Sequence, residues 1–289
     1  MNGLEFMNTA SPVETPSGKW SGDENFPVGS WLLPAPLRPH VALFYAVART
    51  TDDIADNPGL TSEDKLARLH DFEQAVRGDI MDDPAYEKSF RLRLSLIECG
   101  VTDRHICDLI AAFKQDATKL RYDDWGDLIG YCNLSAAPVG RYLLDLHGED
   151  PADYAASDPL CNALQVLNHL QDLKEDFREL DRVYLPGDWM EKNGVVIADL
   201  AAEAASPGMR MVIDKALDGV DDMMARARTL PGRLKSRRLA MESAVIVRLA
   251  DRLTDLLRKG DPIAGRVALT KLDFMSCGLR GMAAGWKGG

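Results

Sequence analysis

Along most of this chain apolar residues return every three or four positions, the spacing of one helix face, and hardly anywhere do they alternate. Leu66, Leu69, Phe72 and Val76 keep this spacing behind Thr61 and Asp64, a capping-box-like start. Ile106, Leu109, Ile110 and Phe113 keep it behind Thr102. The pattern predicts helices over 39–56, with prolines tolerated in the first turn, from Thr61 through Val76, over 84–98 with a stop at Gly100, and from Thr102 through Phe113. It further predicts one long helix over 124–147 ending at Gly148. Another runs over 158–180, opened by Asp158 as a cap and Pro159 in the first turn. Three more occupy 208–229, 236–259 and 262–284. With no hairpin signal, the expected fold class is all-α, one domain of nine or ten helices.

Composition narrows this little. The chain has 289 residues, 46% of them hydrophobic, enough for a sizeable core. No run approaches 18 apolar residues, so no membrane-spanning helix is expected. The net charge of −11 argues against a nucleic-acid partner but not against an acidic ligand bridged by divalent cations. Five cysteines without a Cys-x-x-Cys pair read as reduced thiols of a cytosolic protein, and the opening residues do not read as a signal peptide. Residues 1–22 are expected to form a mobile tail, 23–284 the helical domain, and 285–289 a frayed end.

Candidate chemistry lies in two acidic clusters. In RTTDDIAD, Asp52 and Asp56 stand four apart and share a helix face, with Asp53 about 100° round. Such like charges repel, so their place at the end of an apolar segment calls for a reason. QDLKEDF repeats the device with Asp172 and Asp176, beside Glu175. Gln165, Asn168, Asp172 and Asp176 form one polar stripe on a helix otherwise rich in leucine. If the two stripes face each other across a cavity, they make a magnesium site that holds a diphosphate leaving group. The alternative is two solvated helix faces. Arg49, three residues before Asp52, is placed either to meet phosphate oxygens or to pair with Asp52 or Asp53 within its helix. Arg182 and Tyr184, in DRVYLP, follow the second cluster and could close over the same diphosphate.

YAVARTTDDIAD, NHLQDLKEDF and DRVYLP resemble the two aspartate-rich motifs of the squalene/phytoene synthase family, and the likeness runs from about Asn25 to Arg280. The resemblance implies a single-domain isoprenoid-synthase-type helical bundle around a central cavity. It implies that Asp52, Asp56, Asp172 and Asp176, with Asn168, bind two or three Mg²⁺ ions. Arg49, Tyr45, Gln165, Asn168 and Tyr184 would contact diphosphate, metal or the reacting centre. Phe26, Tyr131, Ala136, Val139, Gly140 and Leu164 would line a prenyl channel. Three stretches depart from the family pattern. GDENFPVGSWLLP, with Asn25, stands where many members carry a His-Ser-Lys-like stretch. Gln171 stands where an arginine is common, and YCNLSAAPVG replaces a small apolar run.

These departures resemble the bacterial branch that converts presqualene diphosphate and water to hydroxysqualene for hopanoids, without NADPH. The rival within the family is head-to-head condensation of two farnesyl diphosphates, or squalene or phytoene formation. A rival of another class is a non-catalytic partner-binding protein on the same fold. Pro138 lacks an N–H, so the Leu134 carbonyl should lose its partner and the helix bend; that carbonyl, with Asn133 and Ser135 beside it, could face the cation or hold the quenching water, and the alternative is a packing kink. Implied partners are the prenyl diphosphate, the inner membrane face as a peripheral contact, and enzymes that make presqualene diphosphate and reduce hydroxysqualene.

Overall fold

A computed structural model describes residues 13–14, 33–81 and 83–287, with side chains to 281. Among these the secondary structure is helical: twelve α-helices, short 3₁₀ turns, and one isolated parallel bridge between Tyr122 and Pro186. They fall into two compact units, 1–119 and 120–289.

The first unit packs four helices, α1 (Arg38–Asp56), α2 (Ser62–Arg77), α3 (Glu87–Cys99) and α4 (Arg104–Asp116). Val41, Phe44, Val47 and Ile54 of α1 meet the predicted face of α2 and Ile106, Leu109 and Ile110 of α4 in one core. The punctuation is local. The Thr61 hydroxyl accepts the Asp64 N–H at the start of α2, and Gly78 ends α2 at φ 90°, a left-handed conformation that a Cβ would strain. Val13 and Glu14, within the segment expected to be a tail, are docked here. Arg68 donates to the Val13 carbonyl at 2.7 Å, and buried Glu14 pairs with Lys88 at 2.5 Å.

The second unit is arranged around α7 (Tyr154–Gln171), which packs on α5 (Trp125–Ser135), α6 (Ala137–Leu146), α10 (Pro207–Ala227) and α11 (Arg237–Lys259). α8 (Leu173–Leu180) and α9 (Gly187–Lys192) follow α7, and α12 (Lys271–Lys287) lies against α11.

Four expectations are corrected. The helix expected over 124–147 breaks at Ala136 (φ −127°, ψ −48°), and Pro138, which has no N–H to give, falls in the first turn of the new helix, where none is needed. Asp158 is not a cap. α7 starts earlier, at Tyr154, Pro159 lies inside it, and the Asp158 carboxylate takes both arms of Arg141 at 2.8 and 2.7 Å. The helix expected to continue to Leu180 breaks at Asp172 (φ −104°, ψ 10°). The last helix begins at Lys271, where Thr270 and Asp273 exchange hydrogen bonds as a capping box. The six-residue α9 is too short to leave a periodic signal.

Candidate active site

In the first unit the candidate residues lie on the last three turns of α1. Tyr45, Arg49, Asp52 and Asp56 recur at steps of four, three and four and are half-buried on one face, while Phe44, Val47, Thr51, Ile54 and Ala55 are buried behind them. Thr51 anchors the inner side by donating to the Val47 carbonyl at 2.9 Å. Asp53 is turned into the protein and takes Arg49 Nη2 at 2.7 Å, while Arg49 Nη1 reaches Asp52 at 3.1 Å. Arg49 therefore spans both neighbouring carboxylates, the intrahelical pairing foreseen as one of its two roles.

Asp52 is 30% exposed. Burial, then the charge of Asp56, raises its carboxyl well above the usual value; Arg49 opposes this and Asp116 and Asp53 add to it. Asp116, buried in the last turn of α4, was not singled out from sequence. Its signal was available: an acid in a helix's last turn is disfavoured by the macrodipole and needs a reason to be there. Half-buried acids that repel one another, offering only oxygen donors, fit a hard divalent cation such as magnesium. Among the described residues no three Asp, Glu, His or Cys side chains cluster as a ready-made metal cage. Magnesium commonly takes one or two carboxylates plus substrate phosphates instead.

In the second unit Gln165, Asn168, Asp172 and Asp176 do form one half-buried stripe, with Leu164 half-buried beside it. The break at Asp172 keeps the stripe together: Asp172 N–H still bonds the Asn168 carbonyl at 3.0 Å, and Asp176 N–H bonds the Asp172 carbonyl at 2.8 Å. The stripe is bordered by the 181–186 strap. Asp181 turns the chain at φ 52°, Arg182 N–H bonds the Asp176 carbonyl at 3.1 Å, and Val183 N–H bonds the Leu120 carbonyl at 3.0 Å. Arg182 and Tyr184 are thereby buried against the motif.

Sequence reading missed two residues here. His169 stacks on Tyr184 with centroids 3.6 Å apart, inside an aromatic cluster with Tyr122 and Tyr131. Burial and the Arg182 charge lower its pKa to about 3, so the ring is neutral and bonds Gln165 at 3.2 Å. The unfolded chain binds this proton near pH 6.5 and the folded one does not. His169 thus contributes stability above that value and loses it as pH falls toward 3. His169→Gln is expected to flatten the acid limb of a melting-temperature profile between about pH 6.5 and 3; an unchanged limb would refute this. The second residue is Arg266, in the 261–270 loop, which pairs with Asp172 at 3.1 Å while Gln171 donates to the Val267 carbonyl at 2.6 Å. A turn-rich loop some ninety residues away in sequence gives no periodic signal of such a contact.

At the break between α5 and α6, Tyr131 and Ala136 are buried and Val139 is exposed. Asn133 accepts from Asn162 at 2.7 Å, and the Ser135 hydroxyl is buried with no hydrogen-bond partner among the described residues. Gly140 permits close packing: a Cβ there would lie 2.4 Å from Ser157 Oγ and 2.6 Å from Cys161 Sγ. Asn25 and Phe26 lie outside the described residues.

Solved structures share this architecture. One reported as squalene synthase HpnC from Alicyclobacillus acidocaldarius superposes with a TM-score of 0.72 at 30% identity, covering 85% of this chain and 90% of that one. A ligand-bound dehydrosqualene synthase superposes at 0.74 with 20% identity, covering 91% and 92%. The all-helical fold shared with the squalene synthase, together with the family match that follows, makes this an isoprenoid synthase. The family model for squalene/phytoene synthase matches residues 21–273. Hydroxysqualene synthases from Rhodopseudomonas palustris and Zymomonas mobilis are each 40% identical over 96% of this chain, and over 94% and 92% of their own lengths. The chain belongs to the squalene/phytoene synthase family.

Proposed function

We propose that this enzyme converts presqualene diphosphate and water to hydroxysqualene and diphosphate. The observation that carries the reading is the 38–40% identity to three hydroxysqualene synthases over 90–96% of the chain. The named phytoene synthases are further off, at 26–31%. The carbon–oxygen bond to diphosphate breaks with its electron pair leaving on diphosphate, the cyclopropylcarbinyl cation rearranges, and water adds its oxygen and loses a proton. No electrons are gained or lost, so no nicotinamide is called for.

Asp52, Asp56, Asn168, Asp172 and Asp176 would hold magnesium. When bound, the metal neutralises the charge on the departing diphosphate. Arg49, Arg182 and Arg266 would offer guanidinium groups to the phosphate oxygens, and Tyr45, Gln165 and Tyr184 would position the head group. Tyr131, Ala136, Val139, Gly140 and Leu164, and Phe26 as the family resemblance implies, would house the prenyl chains. The buried Tyr122, Tyr131 and Tyr184 rings pack on one another, and neutral His169, stacked on Tyr184, adds no positive charge to this aromatic wall.

Ser135 and Asn133 would hold the capturing water at the helix break. Ser135→Ala is expected to cut the share of hydroxysqualene among product alcohols severalfold while substrate consumption changes little. Chromatography of the products checks this, and an unchanged ratio would remove both residues from the role. Such a greasy product favours peripheral contact with the inner membrane face, and enzymes that make presqualene diphosphate and reduce hydroxysqualene are the natural partners. The deciding experiment supplies magnesium with either presqualene diphosphate or farnesyl diphosphate and identifies the lipids. Consumption of farnesyl diphosphate alone would replace the proposed reaction with head-to-head condensation.

A further inference from the structure

Helix α12 is held to α11 by one face. A Cβ on Gly281 would lie 2.7 Å from Val245 Cα, Cys277 Sγ approaches the Arg248 carbonyl, and Asp273 is buried with Arg252 Nε at 2.7 Å. The opposite face carries Leu272, Met275 and Leu279 at steps of three and four, 75%, 63% and 67% exposed. At about 100° per residue, Lys271 and Arg280 fall on the two sides of this stripe. Both are exposed, and the helix's one acid in the described stretch is folded inward. In a chain of net charge −11, an outward face with apolar residues and only basic charges stands apart.

We propose that the α12 outer face lies flat on an anionic lipid surface, with Leu272, Met275 and Leu279 in the acyl boundary and Lys271 and Arg280 among the headgroups. This deepens the membrane contact proposed above. Exposed apolar stripes flanked by basic side chains bind bilayers in this way, each basic residue adding attraction to anionic lipid. None of the described helices is long and apolar enough to cross a bilayer, which leaves contact in the plane. A second copy fits the same face less well, because two-fold pairing would bring Lys271 and Arg280 against their own counterparts.

The test is flotation of the full chain with vesicles of phosphatidylglycerol and phosphatidylethanolamine, against vesicles of phosphatidylcholine alone. The wild type should float with the anionic vesicles and only weakly with the neutral ones. The triple variant Leu272→Ser, Met275→Ser, Leu279→Ser should lose about tenfold or more in vesicle affinity. The pair Lys271→Glu, Arg280→Glu should lose the anionic preference. Both should melt like wild type, since the altered side chains are exposed, and should consume presqualene diphosphate in detergent at the wild-type rate.

Equal vesicle binding by wild type and variants would overturn the proposal. So would a wild type that ignores anionic vesicles at low salt, or a wild-type dimer that the triple variant breaks. Vesicle binding lost in the variants of a protein inert toward presqualene diphosphate would support the lipid face and refute the proposed reaction, so the two fail separately.

Discussion

Asp52→Asn is expected to melt higher than wild type at pH 7 to 8 and to turn over substrate about a thousandfold more slowly. Both effects come from one carboxylate. Burial and the charges of Asp56 and Asp116 raise its pKa well above the usual value, so ionising it works against the folded state. Such an acid stabilises the fold most at pH values below its unfolded pKa of about 3.9, and that contribution is lost as pH rises through the elevated folded value. The wild type therefore carries a penalty at neutral pH that asparagine removes, and the gap in melting temperature between variant and wild type should widen with pH. A gain of about 1 kcal/mol, a few degrees, is the expected scale without magnesium. Arg49 keeps Asp53 at 2.7 Å, so it is not orphaned. Adding magnesium should stabilise the wild type more than the variant, because the ligand binds only the folded state and the variant has lost a donor. Scanning calorimetry from pH 5 to 8, with and without magnesium, checks each part. A variant that melts lower at every pH would show that Asp52 is a structural ion-pair member and not a strained ligand.

Gly140→Leu is expected to cost about 3 kcal/mol of stability, and Gly140→Ala about 1. The first added carbon alone would stand 2.4 Å from Ser157 Oγ and 2.6 Å from Cys161 Sγ, well inside contact distance, and a leucine would force α6 off α7. Those two atoms removed, the next neighbour is Ser157 Cβ at 3.8 Å, an ordinary contact. Gly140→Ala placed in a Ser157→Ala, Cys161→Ala background should therefore be nearly neutral, a coupling that a double-mutant cycle reads directly from urea melts. Equal cost in both backgrounds would mean that the α6–α7 separation is not set by this contact. Because α6 begins one residue after Ala136, displacing it should also disturb Ser135, and the product ratio should shift with the stability.

Periodicity was enough for the faces of α2 and α4, since a core-facing stripe must repeat at 3.6 residues wherever it is buried. It was not enough for breaks. Residues 154–180 keep a helical pattern across Asp172, so the stripe was read correctly although the helix was not continuous. Pro138 marked the other interruption, but only as a bend; whether the chain kinks or starts again depends on what α7 allows to pack beside it. Asp158 looked like a cap because aspartate before proline commonly is one, and Arg141 across the α6–α7 contact claimed it instead.

The periodic helix faces, the two carboxylate pairs and the pairing of Arg49 within its own helix were legible in the sequence itself, because each rests on neighbours within about two helical turns, whereas the burial of Arg182 and Tyr184 rests on Leu120 and His169. Only the tertiary structure decided that Asp116 crowds Asp52, that His169 is neutral against Tyr184, and that Arg266 reaches Asp172. These depend on pairs 64, 15 and 94 residues apart. A charge or a ring acts through distance and burial, and those are set by packing between helices, on which spacing along one helix carries no information.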